Sequence, residues 1–425
     1  MENKDFFIIK KCDGLHGEIT VSGCKNAALP IMAATILSGG KTTLKNVPDL
    51  SDIRNMSDIL TCFGAKIIPG RKSEITIDTE NILHTIAPYD LTRKLRGSFL
   101  VMGPMLAKMK KVRLSLPGGC PIGSRPVDLH LKGFEALGAT ITKGAGFVEV
   151  KAEELVGAKI YLDFPSVGAT ENILMASTLA KGKTTIENAA AEPEIADLAS
   201  FLNKMGARIT GAGTDTITVN GVEKLKSAKY TIMPDRIEAG TFMIASALTG
   251  GDVTIKDVVP EHIKPLTAKL IEMGIDVTAD KDSISVRGDK NCCAKDVKTL
   301  PFPGFPTDMQ APMTSLLSLS KGTGIVTETI FENRFMHVGE LCRMGANIKV
   351  EGHCAVIEGK RSLSGAKVSA SDLRAGAALV LAGLAAKGET QVFDIHHIDR
   401  GYENLDIKLK KLGADIERIE RAPLS

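Results

Sequence analysis

Short apolar stretches with helix-like spacing alternate along the chain with brief β-branched segments, and the alternation recurs six times. Each repeat reads as a helix-like apolar stretch, a Gly-rich turn, a β-branched strand, and a second helix ending in Gly-Ala or a similar pair. The second helices end at Phe63-Gly64-Ala65, Leu137-Gly138-Ala139, Met205-Gly206-Ala207, Met273-Gly274-Ile275, Met344-Gly345-Ala346 and Leu412-Gly413-Ala414. The glycines are spaced 74, 68, 68, 71 and 68 residues apart. Each suits a left-handed helix cap that turns the chain into a further strand, such as Lys66-Ile67-Ile68 or Arg208-Ile209-Thr210. The strands between the two helices fall at 41–44, 111–114, 183–186, 252–255, 323–326 and 389–392. Two helices and short strands cannot close a large core alone, so the pattern predicts two domains of three units each. The longest apolar run, 375–386, is too short to span a bilayer and predicts a buried core helix.

Composition narrows the class. Apolar residues make up 44% and charged residues 24% of the 425, the balance of a globular protein rather than a disordered or coiled-coil one. A net charge of +3 is too small for a nucleic-acid or membrane-surface binder that relies on charge. Aromatics at 4%, with no Trp, disfavour base-stacking platforms. The first residues carry no apolar signal segment, and none of the eight cysteines forms a C-x-x-C pair. Reduced cytoplasmic thiols are therefore expected, with no structural zinc. The vicinal Cys292-Cys293 is expected in a polar surface loop, without a role. Gly40-Lys41-Thr42 and Gly182-Lys183-Thr184 resemble the tail of a phosphate-binding loop, but its first glycine would fall at Thr35 and Ser177.

The chemistry shows where the repeat departs from itself. Eighteen residues before the strand ends stand Asn26, Arg96, Gly168, Ile237, Asp308 and Arg374, with Lys25 and Arg236 as neighbours. Each opens an apolar helix, and helix N-termini attract anions. Converging N-termini carrying Lys25, Arg96 and Arg374 would hold a strongly anionic ligand. Asp308 is the one acid in the set. It has two readings: a general base beside a bound anion, or a helix N-cap. Eight residues after the strand ends stand Asp52, Glu194, Ile263, Arg334 and Arg400. In the second unit the corresponding arginine is Arg125, in the segment 116–126, which holds three glycines, three prolines and Cys120. Such a segment is a loop, and Cys120 reads equally as an idle loop thiol or as a reactive one. Taken singly, Lys25, Arg96 and Arg125 read as surface charges; their equivalence across repeats moves them off that reading. His396-His397 read as partly buried residues at a helix start, and His130 as a packed histidine.

Four segments carry a resemblance. Gly23-Cys24-Lys25-Asn26-Ala27-Ala28, the stretch from Leu116 through Cys120 and Arg125 to His130, Phe305-Pro306-Thr307-Asp308-Met309-Gln310 and His397-Ile398-Asp399-Arg400-Gly401-Tyr402 resemble the UDP-N-acetylglucosamine 1-carboxyvinyltransferases of the enolpyruvyl transferase family. The resemblance runs from about residue 8 to about 418. It implies a two-domain inside-out α/β barrel of six repeats. Residues 1–24 with 233–425 would form one domain and 25–232 the other, with the reactants in the cleft between them. It implies transfer of the enolpyruvyl group of phosphoenolpyruvate to the 3′-hydroxyl of UDP-N-acetylglucosamine, the first committed step of peptidoglycan synthesis, without metal or cofactor and without nucleic-acid or membrane partners. By matching positions, Cys120 resembles the proton donor that forms a covalent phosphoenolpyruvate adduct and is alkylated by fosfomycin, and Asp308 the hydroxyl base. Lys25, Asn26, Arg125, Arg334, Arg374 and Arg400 resemble the phosphoenolpyruvate contacts. Arg96, Arg125, Pro126, Val127, Asp128, Leu129, Phe164, Ser166, Val167, Gly168, Asp308 and Ile330 resemble the UDP-sugar contacts. Three positions depart from the family: Cys24 where Ala is common, Phe164 where some members have Lys, and Gly97 where Ala is common. The sister 3-phosphoshikimate enzymes share fold and donor but lack the Gly-Gly-Cys loop.

Overall fold

The computed structural model describes residues 5–115 and 127–420. They form two compact units: residues 5–22 with 234–420, and residues 23–115 with 127–233. Six helices are buried on nearly every side: α1 (Lys25–Ala34), α2 (Met102–Met109), α3 (Val167–Ser177), α4 (Arg236–Thr249), α5 (Gln310–Leu317) and α6 (Leu373–Ala385). A helix that is apolar all round has no solvent face, so it goes to the interior. In one unit α4, α5 and α6 pack on one another; in the other α2 packs on α3, and α1 on the 3-10 turn Arg96–Val101 that leads into α2. The run 375–386 is thus almost wholly the core helix α6.

Each core helix is followed by a strand: β1 (Lys41–Lys45), β2 (Lys111–Ser115), β3 (Lys183–Glu187), β4 (Asp252–Lys256), β5 (Thr323–Thr327) and β6 (Glu389–Phe393). All six extend one residue beyond the pattern read in the sequence. Alternate residues such as Val112 and Leu114, or Val253 and Ile255, are buried, so one face of each strand meets the helices.

The repeat holds four strands rather than the two its pattern shows. In the third unit the sheet order is Lys159–Tyr161, β3, Thr216–Asn220, Arg208–Thr210, with the first pair parallel and the others antiparallel. The other five sheets repeat this order. The parallel first strands are only two to five residues long, too short to show a period of two. In each of the two compact units the helices lie inside and three separate four-stranded sheets outside.

The chain ends are permuted within this scheme. Phe6–Lys10 fills the third place in the sheet of β6, between β6 and Ile416–Ile419. His16–Thr20 is the parallel first strand beside β4. The chain leaves that unit after Ser22, and Lys229–Thr231, at the end of the excursion, supplies the first strand beside β1. The six predicted cap glycines all adopt φ between +91° and +112°, a region that side-chain-bearing residues avoid. One expectation fails: Cys292 is buried, with its sulfur 3.3 Å from Ser320 Oγ, and only Cys293 is exposed. Lys321 N donates to the Cys292 carbonyl and Ala294 N to the Lys321 carbonyl, so the segment lies along the chain just after α5 instead of looping into solvent.

Candidate active site

The aligned positions fall at the starts of the core helices. Asn26, Gly168, Ile237 and Arg374 are each the second residue of α1, α3, α4 and α6. Arg96 is the first residue of the turn before α2, and Asp308 the second of the turn Thr307–Met309 before α5. The sequence pattern therefore located six equivalent helix ends, three in each unit.

In the unit built on α4, α5 and α6, Asp308 is bracketed by two guanidinium groups. Arg334 Nη2 donates to Oδ1 at 2.6 Å, and Arg374 Nη2 donates to Oδ2 at 3.0 Å. The Arg334 and Arg374 side chains are about 5% exposed, and that of Asp308 25%. The cap positions of this turn and of α5 are Pro306 and Met309, and neither side chain makes a capping hydrogen bond. Arg374 itself sits behind a cap: Asp372 accepts from the N–H groups of Arg374 and Ala375. Burial works against the Arg374 charge; Asp308, Tyr402 and Asp235 more than offset it and raise its pKa. Nε of Arg334 and Nη1 of Arg374 are buried with no hydrogen-bond partner among the described residues. Buried donors without acceptors are costly, so these two guanidinium groups are suited to receive an anion. Arg400 ends the turn Ile395–Arg400 and lies near enough to His397 to depress its pKa, after burial and His396. Ile330 lies in the turn after β5, where its N–H donates to Glu328.

In the other unit, Lys25 opens α1 and its ammonium pairs with Asp52 at 3.1 Å, with both side chains buried. Asp52 is the second residue of the helix Ser51–Phe63. Cys24, 1% exposed, has its sulfur 3.8 Å from Glu194 Oε1, so a thiol fits at this position and is buried from solvent. Ser166 caps α3 by accepting from Ala169 N, which fixes the turn carrying Val167 and Gly168. Phe164 and Asp128 are exposed; Asn26, Arg96, Val127, Leu129, Ser166, Val167 and Gly168 are half-buried. His130 is packed, as its pattern suggested. Asn172 Nδ2 lies 2.9 Å from Nδ1, Phe99 meets the ring edge-on, and burial with the nearby Arg96 lowers its pKa to about 3. Asn172 also donates to the Phe99 carbonyl and accepts from Gly103 N, so its amide faces His130 as a donor and the imidazole proton sits on Nε2. Cys120, Arg125 and Pro126 lie outside the described residues.

Sequence reasoning missed Thr307, Glu328 and His337, all close to Arg334, and the pairing of Asp52 with Lys25. Repeat position could have found Glu328: it directly follows β5, where four sister units place Asn46, Asn188, Asp257 and Asp394. Among the described residues no cluster of three or more His, Cys, Asp or Glu suits a metal, and no helix is long and apolar enough to cross a membrane.

The fold and the family match together place this chain among the enolpyruvyl (carboxyvinyl) transferases. The family model of EPSP synthase (3-phosphoshikimate 1-carboxyvinyltransferase) matches residues 9–409, and the chain belongs to that family. More narrowly, it belongs with the UDP-N-acetylglucosamine 1-carboxyvinyltransferases and is a transferase enzyme. It is 56% identical to UDP-N-acetylglucosamine 1-carboxyvinyltransferase 1 of Caldanaerobacter subterraneus subsp. tengcongensis, over 98% of this chain and 100% of that one. It is 56% identical to UDP-N-acetylglucosamine 1-carboxyvinyltransferase 2 of Carboxydothermus hydrogenoformans, over 97% and 99%. Among solved structures, the enolpyruvyl transferase NikO from Streptomyces tendae superposes with a TM-score of 0.89 at 25% identity, covering 99% of this chain and 100% of that one. EPSP synthase from Acinetobacter baumannii shares the fold, with a TM-score of 0.76 at 19% identity over 98% and 100%.

Proposed function

We propose that this enzyme transfers the enolpyruvyl group of phosphoenolpyruvate to the 3′-hydroxyl of UDP-N-acetylglucosamine, releasing phosphate, as the first committed step of peptidoglycan synthesis. The observation that carries the mechanism is the Asp308 carboxylate held between Arg334 and Arg374, each with a further buried donor to offer. Protonation of C3 makes C2 of phosphoenolpyruvate electrophilic, and Cys120 supplies that proton. The sugar oxygen bonds to C2 while Asp308 takes its proton. The tetrahedral adduct then loses phosphate by C–O cleavage and a proton from C3, which restores the double bond. Lys25, Arg125, Arg334, Arg374 and Arg400 balance the phosphate and carboxylate charge, and Asn26 orients the sugar. Arg96, Pro126, Val127, Asp128, Leu129, Phe164, Ser166, Val167, Gly168 and Ile330 hold the nucleotide sugar. The enzyme works in the cytoplasm; the seven described cysteines are all free thiols, the state a reducing compartment keeps.

Two substitutions test the roles. Cys120→Ala abolishes the phosphoenolpyruvate adduct, read by intact-protein mass; an adduct of unchanged mass in that variant contradicts the assignment. Asp308→Asn leaves UDP-sugar binding largely intact while turnover falls by about a hundredfold or more, the range of a lost general base. Binding and rate lost in proportion would make Asp308 a structural residue.

A further inference from the structure

The structure assigns to Glu328 the positioning of the reactive end of its unit. Its carboxylate is wholly buried at the end of β5 and is shared among four donors. Oε1 accepts from Thr299 Oγ1 at 2.9 Å, Ile330 N at 2.8 Å and Phe331 N at 3.2 Å. Oε2 accepts from Thr307 Oγ1 at 2.8 Å. With its proton committed to Glu328, the Thr307 hydroxyl turns a lone pair to Arg334, whose Nη1 donates to it at 2.8 Å. The other nitrogen of the same fork reaches Asp308. A rigid guanidinium pinned at one corner has its second corner placed as well.

Comparison with the sister repeats separates this from ordinary scaffolding. Asn46, Asn188, Asp257 and Asp394, which follow β1, β3, β4 and β6, adopt a left-handed backbone, and Glu328 does not. Asn46 and Asn188 tie down the parallel first strand of their sheets by donating to the carbonyls of Ile232 and Leu162. Asp394 does so by accepting from Ser369 Oγ. Glu328 makes the equivalent tie through Oε1 to Thr299, next to the strand Val297–Lys298. Its longer side chain carries a second oxygen on to Thr307. One arm of the carboxylate holds the sheet and the turn of Ile330. The other arm, absent from the sister ties described, sets Thr307, Arg334 and Asp308.

This inference rests on the proposed roles of Asp308 and Arg334. Thr307→Val removes the second arm at nearly constant volume, while Thr307→Ser keeps the hydroxyl. Steady-state kinetics of phosphate release, with urea unfolding midpoints alongside, test the chain. We expect Thr307→Val to lower kcat/KM for phosphoenolpyruvate at least tenfold, with KM for the UDP-sugar within about twofold and the midpoint near that of the parent. Thr307→Ser should recover most of the loss. Glu328→Gln reverses one hydrogen bond of the chain and should also lower kcat/KM for phosphoenolpyruvate. Added to Thr307→Val it should lower activity little further, because the arm is already cut. An active parent with unaltered phosphoenolpyruvate kinetics in Thr307→Val, or two losses that simply multiply, overturns the inference alone. A parent that releases no phosphate overturns the proposed reaction and the inference with it.

Discussion

Single residues in this chain take their meaning from their copies. Asp308 and Arg374 were legible because five other units show what the position ordinarily holds. Their mutual pairing was not, since it depends on how α5 and α6 pack. The same limit hid Asp52 behind Lys25 and Glu328 behind Thr307: each contact joins residues far enough apart that only the fold brings them together. His337 illustrates a residue with no sequence signal at all. It opens the helix His337–Arg343, it is 2% exposed, and its Nε2 has no hydrogen-bond partner among the described residues. Burial pushes its pKa down to about 4, with Asp372 pulling up and Arg334 down. The unfolded chain takes up this proton near pH 6.5 and the folded one only near pH 4. Its stabilising effect is therefore present above pH 6.5 and is lost as pH falls towards 4. Between pH 7 and pH 5 the loss amounts to about 2 kcal/mol. Urea midpoints at the two pH values should show a smaller acid-side drop for His337→Leu than for the parent. An equal drop would show that the folded chain protonates His337 as readily as the unfolded one.

Secondary-structure elements divide into those that announce themselves and those that do not. The core helices and β1–β6 were legible because each repeats a strong apolar pattern. The strand after a cap glycine was legible too, as at Lys66–Pro69 and Arg208–Thr210, but the parallel first strands and the strands between these and β1–β6 were not, because short half-exposed strands gain their place from a neighbour's hydrogen bonds. Glycines mark the joints, for two different reasons. Gly345 caps its helix at φ +94° with open space around the missing Cβ, so Gly345→Ala is strained only in its backbone, by roughly 1–2 kcal/mol. Gly359 follows the strand Cys354–Glu358, and a Cβ there would lie 1.7 Å from the Ser320 carbonyl oxygen. Its N–H donates to the Gly322 carbonyl, so the chain cannot withdraw without losing that bond. Denaturant titration should find Gly359→Ala clearly more destabilising than Gly345→Ala. The reverse order would mean that the segment after Cys354–Glu358 yields more easily than its hydrogen bonding indicates.

Over the whole molecule, one structural unit recurs six times. Six copies of one unit give six helix starts, and substitution at equivalent positions turns some of them into cations and one into a carboxylate. Strands far apart in the chain complete single sheets, with Phe6–Lys10 beside β6 and the mid-chain Lys229–Thr231 beside β1. That permutation was invisible to a repeat read in chain order. The central claim is that this set of side chains carries an enolpyruvyl group to a nucleotide sugar. The direct measurement is inorganic phosphate released from phosphoenolpyruvate, with UDP-N-acetylglucosamine or shikimate 3-phosphate as the acceptor. The account predicts release with the UDP-sugar and none with shikimate 3-phosphate; release with the shikimate acceptor, or with neither, would contradict it.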